Sequence, residues 1–270
     1  MYSKNRFNIA LCVRGAISKN NNSSNYANTL YTNEKNYVNF KAVYNSIKKH
    51  ILESNLDHNI DIFIHSWNFD LEDELKKLYT PVSFLFENND IYTEEINKRI
   101  KHPRSFSQVS HALSIKKVLQ LKDNYELDNN VKYDKVILYR PDSYLFKDMN
   151  LNDYLSDEVI YVNNHTYFGN ECAGDFHYVF SNKFSKYFKL LYNSSLYGNQ
   201  PFEHFYVRNF LINMSKLNMK MDNIEPGYHQ DVARFDKINY GINELNLDPN
   251  IFYEYGFEFK DLYPQDQTKL

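Results

Sequence analysis

Apolar and polar positions along the first half of the chain fall into short blocks whose period switches back and forth. Over residues 7–13, Ile9, Leu11 and Val13 alternate with small residues that can also be buried, which predicts a first strand ending at Arg14-Gly15. Residues 37–54 carry Phe40, Val43, Tyr44, Ile47 and Ile51 at helical spacing. A second strand is predicted over 60–64, followed by the turn His65-Ser66-Trp67-Asn68. Asn68 or Asp70 then caps a helix over 71–78 whose first turn is acidic. A third strand follows over 82–86 and a short helix over 93–100. Ser105 or Ser107 caps a longer helix to about residue 122, with Val109, Leu113, Val118 and Leu119 facing inward. Residues 18–33, rich in Asn, Ser and Thr, are expected to form a loop.

The next block is the run Val136-Ile137-Leu138-Tyr139, bulky and partly β-branched, closed by Arg140-Pro141-Asp142. Such a run fits a strand buried on both faces of a mostly parallel sheet. Pro141 has no N–H to give a ladder, so the strand ends there. Four strands alternating with helices imply βαβ units, and right-handed crossovers bring the strand carboxyl ends to one edge. Arg140 and Asp142 then stand where open α/β sheets bind ligands. The competing interpretation is a structural Arg–Asp salt bridge in a turn.

The second half is less regular. Strands are predicted over 159–162 and 178–180, and Ser181 caps a helix carrying Phe184, Tyr187, Phe188 and Leu191. A further helix over about 201–217 starts at Pro201, a good first-turn residue. From residue 220 onward the chain is aromatic and irregular, with Tyr228-His229-Gln230-Asp231. No linker rich in Pro or Gly interrupts it, so the expected fold is one α/β domain over residues 1–270, with a mostly parallel sheet flanked by helices.

Composition narrows the partners. Hydrophobic residues at 43% and charged ones at 24% fit a globular chain with a sizeable core. A net charge of −3 gives no electrostatic case for nucleic acid. No apolar run approaches the ~18 residues of a membrane span. The apolar run at residues 9–13 is short for a secretory signal and is ended by Arg14. Cys12 and Cys172 make no disulfide framework, and Cys12 falls in a predicted buried strand, so a reducing, cytoplasmic setting is expected.

Four predicted strand ends carry polar groups: Arg14-Gly15, residues 65–68, residues 87–90, and residues 140–142. A Gly-x-x-x-x-Gly-Lys-Ser/Thr loop, a Gly-x-Gly-x-x-Gly fingerprint, a nucleophile elbow and a Cys-x-x-Cys pattern are all missing from the sequence. P-loop, dinucleotide, serine-hydrolase and zinc chemistries therefore lack their signatures.

The first strand ends in Arg14-Gly15. Then come Asp61-Ile62-Phe63-Ile64-His65-Ser66-Trp67-Asn68, the Gln108-Val109-Ser110-His111-Ala112-Leu113-Ser114 helix, and Tyr133 through Arg140-Pro141-Asp142. This succession resembles bacterial and viral glycosyltransferases of the GT-A type, in which Arg-x-Asp stands where others have Asp-x-Asp. Gly174-Asp175-Phe176-His177-Tyr178 and Pro201-Phe202-Glu203 are similar to acceptor-side segments of those families. The resemblance spans about residues 6–235 and implies a Rossmann-like GT-A domain. Its nucleotide-binding half would cover about 1–150 and its acceptor-side half about 151–270.

The resemblance implies a nucleotide-sugar donor, a glycan acceptor, and roles for individual residues. Arg14, Gly15, His65, Trp67, Arg104, Gln108, Arg140 and Asp142 would border the donor. Trp67 or His65 would stack on the base or else anchor core packing, and Arg104 would reach the diphosphate or be solvated. Asp142, with His229, would hold Mn2+ or Mg2+ against the diphosphate as a Lewis acid. Arg140, standing in for the first acid, offers a second device, because a guanidinium can give two N–H donors directly to a phosphate. Asp175 or Glu203 would take the acceptor proton, unless Asp175 caps a turn and Glu203 complements a helix dipole. The rival functions are a non-catalytic binding protein of the same fold and a transferase using another phosphate-bearing donor.

Overall fold

A computed structural model describes residues 6–17, 40–100, 105–163, 175–194, 207, 210–213, 220–224, 232–234, 250 and 254. In its first half β1 (Asn8–Gly15), α1 (Phe40–Ile47), β2 (Asn59–Ser66), α2 (Glu72–Tyr79), β3 (Ser83–Phe86) and α3 (Thr93–Arg99) alternate. The long α4 (Ser105–Asn129) leads into β4 (Lys135–Tyr139), β5 (Ser143–Leu145) and β6 (Val159–Asn163). β7 (His177–Ser181), α5 (Ser185–Asn193), β8 (Lys220–Ile224) and β9 (Val232–Arg234) follow.

Seven strands form one sheet in the order β3-β2-β1-β4-β7-β6-β8, and β5 pairs with β9 in a small second ladder. β1 is parallel to β2 and β4, and β2 to β3. β7 runs antiparallel to both β4 and β6, while β8 is parallel to β6. The fold is thus α/β with a mostly parallel central sheet, as the alternating pattern implied.

β1 and β4 are apolar without interruption because both their faces are covered. Ile9, Leu11, Val13, Ile137 and Tyr139 pack with Val43, Ile47, Leu75 and Tyr79 from α1 and α2. Ala10, Cys12, Val136 and Leu138 pack on the other face with Val109, Leu113, Phe188 and Leu191 from α4 and α5. This is the period of two expected of strand side chains. From β1 the chain steps outward to β2 and β3, then returns through α4 to lay β4 on the far side of β1. The strand order therefore reverses between β1 and β4.

Several local expectations are corrected. The helix predicted over 37–54 is α-helical at Phe40–Ile47, widens into a π-turn at Lys48–Leu52 and tightens at Glu53–Asn55. The wide turn lets both His50 and Ile51 face inward, where His50 Nδ1 meets Asp148 at 2.7 Å. Neither Asn68 nor Ser181 makes the expected side-chain cap. Asn68 Oδ1 instead accepts from the Ile17 N–H at 2.8 Å, tying down the chain as it leaves β1. β8 and β9 occupy a region expected to be irregular. The helix predicted over 201–217 is described at residues 207 and 210–213, which are helical.

α4 runs to Asn129, beyond residue 122, because its last turns are held by polar contacts as well as by Tyr125, which stands edge-on to Phe63 with ring centres 5.6 Å apart. Lys122 is 1% exposed and bonds Glu126, Asp123 and, at 2.8 Å, Asn182 Oδ1 just past β7. Asn130, at φ 51°, ends the helix. Removing one member of such a buried ionic group leaves the others unpaired, at a cost of about 3 kcal/mol. Lys122→Met keeps the stem's volume but should still lower unfolding free energy by about that amount in urea titrations. A loss below about 1 kcal/mol would show that the ammonium is not what holds α4 to β7.

Candidate functional site

The ladder of β1 with β4 pairs Val13 with Tyr139, so Arg14-Gly15, still paired with His65-Ser66 of β2, and Arg140-Pro141 lie side by side at its end. Because β7 is antiparallel, with His177 opposite Tyr139, its amino end reaches the same edge and carries Asp175 and Phe176 there. The Arg140 N–H donates to the Phe176 carbonyl at 2.9 Å, extending the ladder by one bond. Gly15 has φ +115°, a region that side-chain-bearing residues avoid. A Cβ at Gly15 would lie 4.0 Å from Pro141 Cδ, so backbone conformation rather than space selects glycine.

The Arg140 guanidinium organises this edge. Its Nε donates to Asp142 Oδ1 at 2.8 Å and its Nη2 to Asp142 Oδ2 at 2.7 Å, the parallel-pair geometry of strong charge-assisted bonds. Its Nη1 donates to Asp175 Oδ2. The turn that makes this possible is closed by Ser143, whose Oγ donates to the Arg140 carbonyl at 2.9 Å. Burial opposes the charged guanidinium, but Asp142 and Asp175 outweigh it and raise its pKa further. Arg14, 2% exposed, donates from Nη2 to the Asp175 main-chain carbonyl at 2.8 Å. It thus props the segment that delivers Asp175. Two arginines and two aspartates leave this group of four formally neutral.

Whether a divalent ion fits depends on what already occupies the carboxylates. Both oxygens of Asp142 and one of Asp175 accept from Arg140. A divalent ion on those oxygens would have to displace the guanidinium from them, breaking charge-assisted bonds to both carboxylates. Among the described residues no group of three or more His, Cys, Asp or Glu side chains is disposed to hold a metal. The described residues therefore do not fit a divalent ion at Asp142 as they stand. His229, the expected second ligand, lies outside the described residues.

His65 stands beside Arg14 in the β1–β2 ladder, but its ring turns into a buried network. Its Nδ1 is 2.7 Å from Ser114 Oγ on α4 and its Nε2 is 3.1 Å from Glu87 Oε1. An ionised Glu87 can only accept, so Nε2 carries the proton and Nδ1 accepts from Ser114. Burial lowers the His65 pKa despite Glu87. Burial alone would raise Glu87, but bonds from His65 and Tyr92, with Lys117 nearby, bring it down to about 2. The order Ser–His–Glu is that of an activated nucleophile, yet Ser114 is 0% exposed and no substrate reaches it. Trp67, 5% exposed, stands edge-on to His65 with ring centres 4.4 Å apart. The expectation that either ring stacks on a base is thus not met by this arrangement, since both rings are packed in the core.

The remaining expected residues divide between the helix and the undescribed stretches. α4 approaches β2 near its carboxyl end through Ser114 and the far end of β7 through Lys122. It therefore starts at the carboxyl edge, and Gln108, 9% exposed, lies in its first turn. Arg104 and Glu203 lie outside the described residues. The Arg140–Asp175 and Arg14–Asp175 contacts had no sequence signal, because they depend on the direction of β7. The Glu87–Lys117–Tyr92 cluster was visible only as polar residues at a strand end.

No protein-family model matches the chain. No curated protein matches it either. Among solved structures it is similar to a cytidylyltransferase from Leptospira borgpetersenii serovar Hardjo-bovis (strain JB197). The TM-score is 0.46 and the identity 11%, over 98% of this chain and 95% of that one. No helix among the described residues is long and apolar enough to cross a membrane.

Protonation links these buried groups to stability. His177, 3% exposed, is lowered by burial to about 4, and His65 is lowered too, whereas both titrate near 6.5 when unfolded. Below about pH 6.5 the unfolded chain takes up protons that the fold resists, so stability falls with pH. Glu87 adds a further loss between about 4.5 and about 2. Urea titrations from pH 7 to pH 4 should show this decline, with His177 contributing on the order of 3 kcal/mol and His177→Phe flattening the slope. Stability constant over that range would contradict the burial of these imidazoles.

Proposed function

We propose that this chain is a glycosyltransferase of the GT-A type, moving a sugar from a nucleotide-diphosphate donor to a glycan acceptor. The observation that carries this reading is the meeting of Gly15, Arg140 and Asp142, at the ends of β1 and β4, with Asp175, which leads into β7 on the other side of β4. Strand order reverses there, and such a reversal is where open α/β sheets bind ligands at their carboxyl edge. The resemblance of the Arg140-Pro141-Asp142 segment to the Arg-x-Asp variant of the GT-A motif supports the same assignment.

In this reading the donor lies along the carboxyl edge, across the bare backbone of half-buried Gly15, with its diphosphate toward Arg140 and Asp142. As the sugar leaves, negative charge grows on the diphosphate's bridging oxygen. Fixed charges aimed at that oxygen stabilise it without reorganising. The Arg140 guanidinium is such a fixed charge: the Asp142 and Asp175 carboxylates hold it in place, and two of its five N–H donors are not used by those bonds. Arg14 acts one layer back, orienting the Asp175 backbone. Asp175 and Glu203 are the carboxylates proposed to take the acceptor proton, and Arg140 fixes the orientation of Asp175. A base must reach the acceptor hydroxyl within hydrogen-bond distance, so an acceptor would approach from the β7 side of the edge.

Calorimetry with UDP and GDP, followed by donor hydrolysis assays, tests this. Asp142→Asn cannot accept the parallel pair from Arg140, and it should lower donor turnover by about 10²-fold or more, the order lost with one preorganised group. Circular dichroism should show the variant still folded, because Asp142 lies at the sheet edge outside both hydrophobic layers. Wild-type turnover in Asp142→Asn would remove the motif from the mechanism. Nucleotide binding without any donor turnover would instead mark a non-catalytic binding protein of the same fold.

A further inference from the structure

We propose that Arg140 is the resident cation of this site: its guanidinium stands between Asp142 and Asp175 in the role of a divalent ion, and nucleotide binding needs no metal. The inference rests on reading this edge as the donor site. All three guanidinium nitrogens donate to carboxylates, Nε and Nη2 to Asp142 and Nη1 to Asp175. The two acids come from opposite sides of the β4–β7 ladder, one from the turn after β4 and one from the residues before β7. One cation therefore joins two strand ends, as a bridging metal would. The Arg140 main chain makes the same connection through the Phe176 carbonyl at 2.9 Å.

Arginine suits this role better than lysine. Its fork matches a carboxylate in the plane, and it stays charged at any physiological pH. The site's shape is thus assembled before substrate arrives and does not depend on metal supply. The side chains of Arg140, Asp142 and Asp175 are 19%, 14% and 14% exposed, so the bridge is sheltered without being sealed from solvent. Asp175, expected from sequence to act as a base, is here first of all a partner of this cation.

The test uses the full chain with Mn2+ alone and then with nucleotide. Electron paramagnetic resonance of free Mn2+ should be the same with and without wild-type protein. UDP or GDP affinity, by calorimetry, should agree within about twofold between EDTA and Mn2+. Arg140→Asp exchanges the resident cation for a third acid, and this variant should remove about one Mn2+ per chain from the free signal. Wild-type protein that binds one Mn2+ per chain, or nucleotide affinity that falls about tenfold or more in EDTA, would overturn the proposal. A folded Arg140→Asp protein that takes up no Mn2+ would also count against it, since the acids would then not form a cation seat. If that variant does not fold, the wild-type measurements still decide. If neither nucleotide binds under any condition the donor reading fails, while the Mn2+ result continues to answer the question of the cation.

Discussion

A guanidinium shared by carboxylates from two adjacent strand ends constrains everything around it. Arg140 meets Asp175 only because β7 enters the sheet against β4, so that a carboxyl end and an amino end lie together. The opposite end of the same ladder is also tied. The Asn182 N–H donates to the Asp134 carbonyl at 3.0 Å, and the Lys122 ammonium of α4 donates to Asn182 Oδ1 at 2.8 Å. A shift of β7 by one residue would reverse the facing of every side chain in it and pull Asp175 away from Arg140. The polar contacts at both ends and the apolar residues between them therefore specify one register, and that register creates the candidate site.

The charges at the edge explain why an ion pair and a functional group need not be rival interpretations of Arg140 and Asp142. Breaking a sheltered pair by removing one member is costly because the other is left uncompensated. Such a pair holds its own geometry, which is what a site acting by fixed electrostatics requires. The neighbouring cluster of His65, Glu87, Lys117 and Tyr92 is built from similar chemistry around a fully buried imidazole, with Glu87 and Lys117 partly exposed. His65 and Ser114 are both 0% exposed. The two clusters lie one strand apart and differ in what they join: one braces β2 and β3 against α4, and the other ties the end of β4 to the start of β7.

The parallel half of the fold was legible because its cause is local. Apolar runs such as Val136-Ile137-Leu138-Tyr139, broken by Pro141, record burial on both faces and a definite end. Arg140 and Asp142 could be placed at that end for the same reason. What could not be read depends on partners far along the chain. The last turns of α4 carry Lys122, Asp123 and Glu126, which look solvated by composition, yet Asn182 some 60 positions later bonds Lys122 and Glu126, and Lys189 bonds Asp123. Asn68 has the chemistry of a helix cap, yet it accepts from Ile17 across 51 positions. For Trp67 the sequence left base stacking and core packing open, and its contacts with His65 and Tyr92 are those of core packing. The short strands β8 and β9 carry little periodic signal and are defined by pairing with β6 and β5.

The central claim is that the carboxyl edge between β1 and β4 receives the diphosphate of a nucleotide. A crystal structure of the chain grown with UDP or GDP in the presence of EDTA tests this most directly. The account predicts diphosphate density against Gly15 and the Arg140–Asp142 turn, with Arg140 still bonded to Asp142. Nucleotide density on any other surface of the sheet, with the Gly15 and Arg140 edge unoccupied, would contradict it.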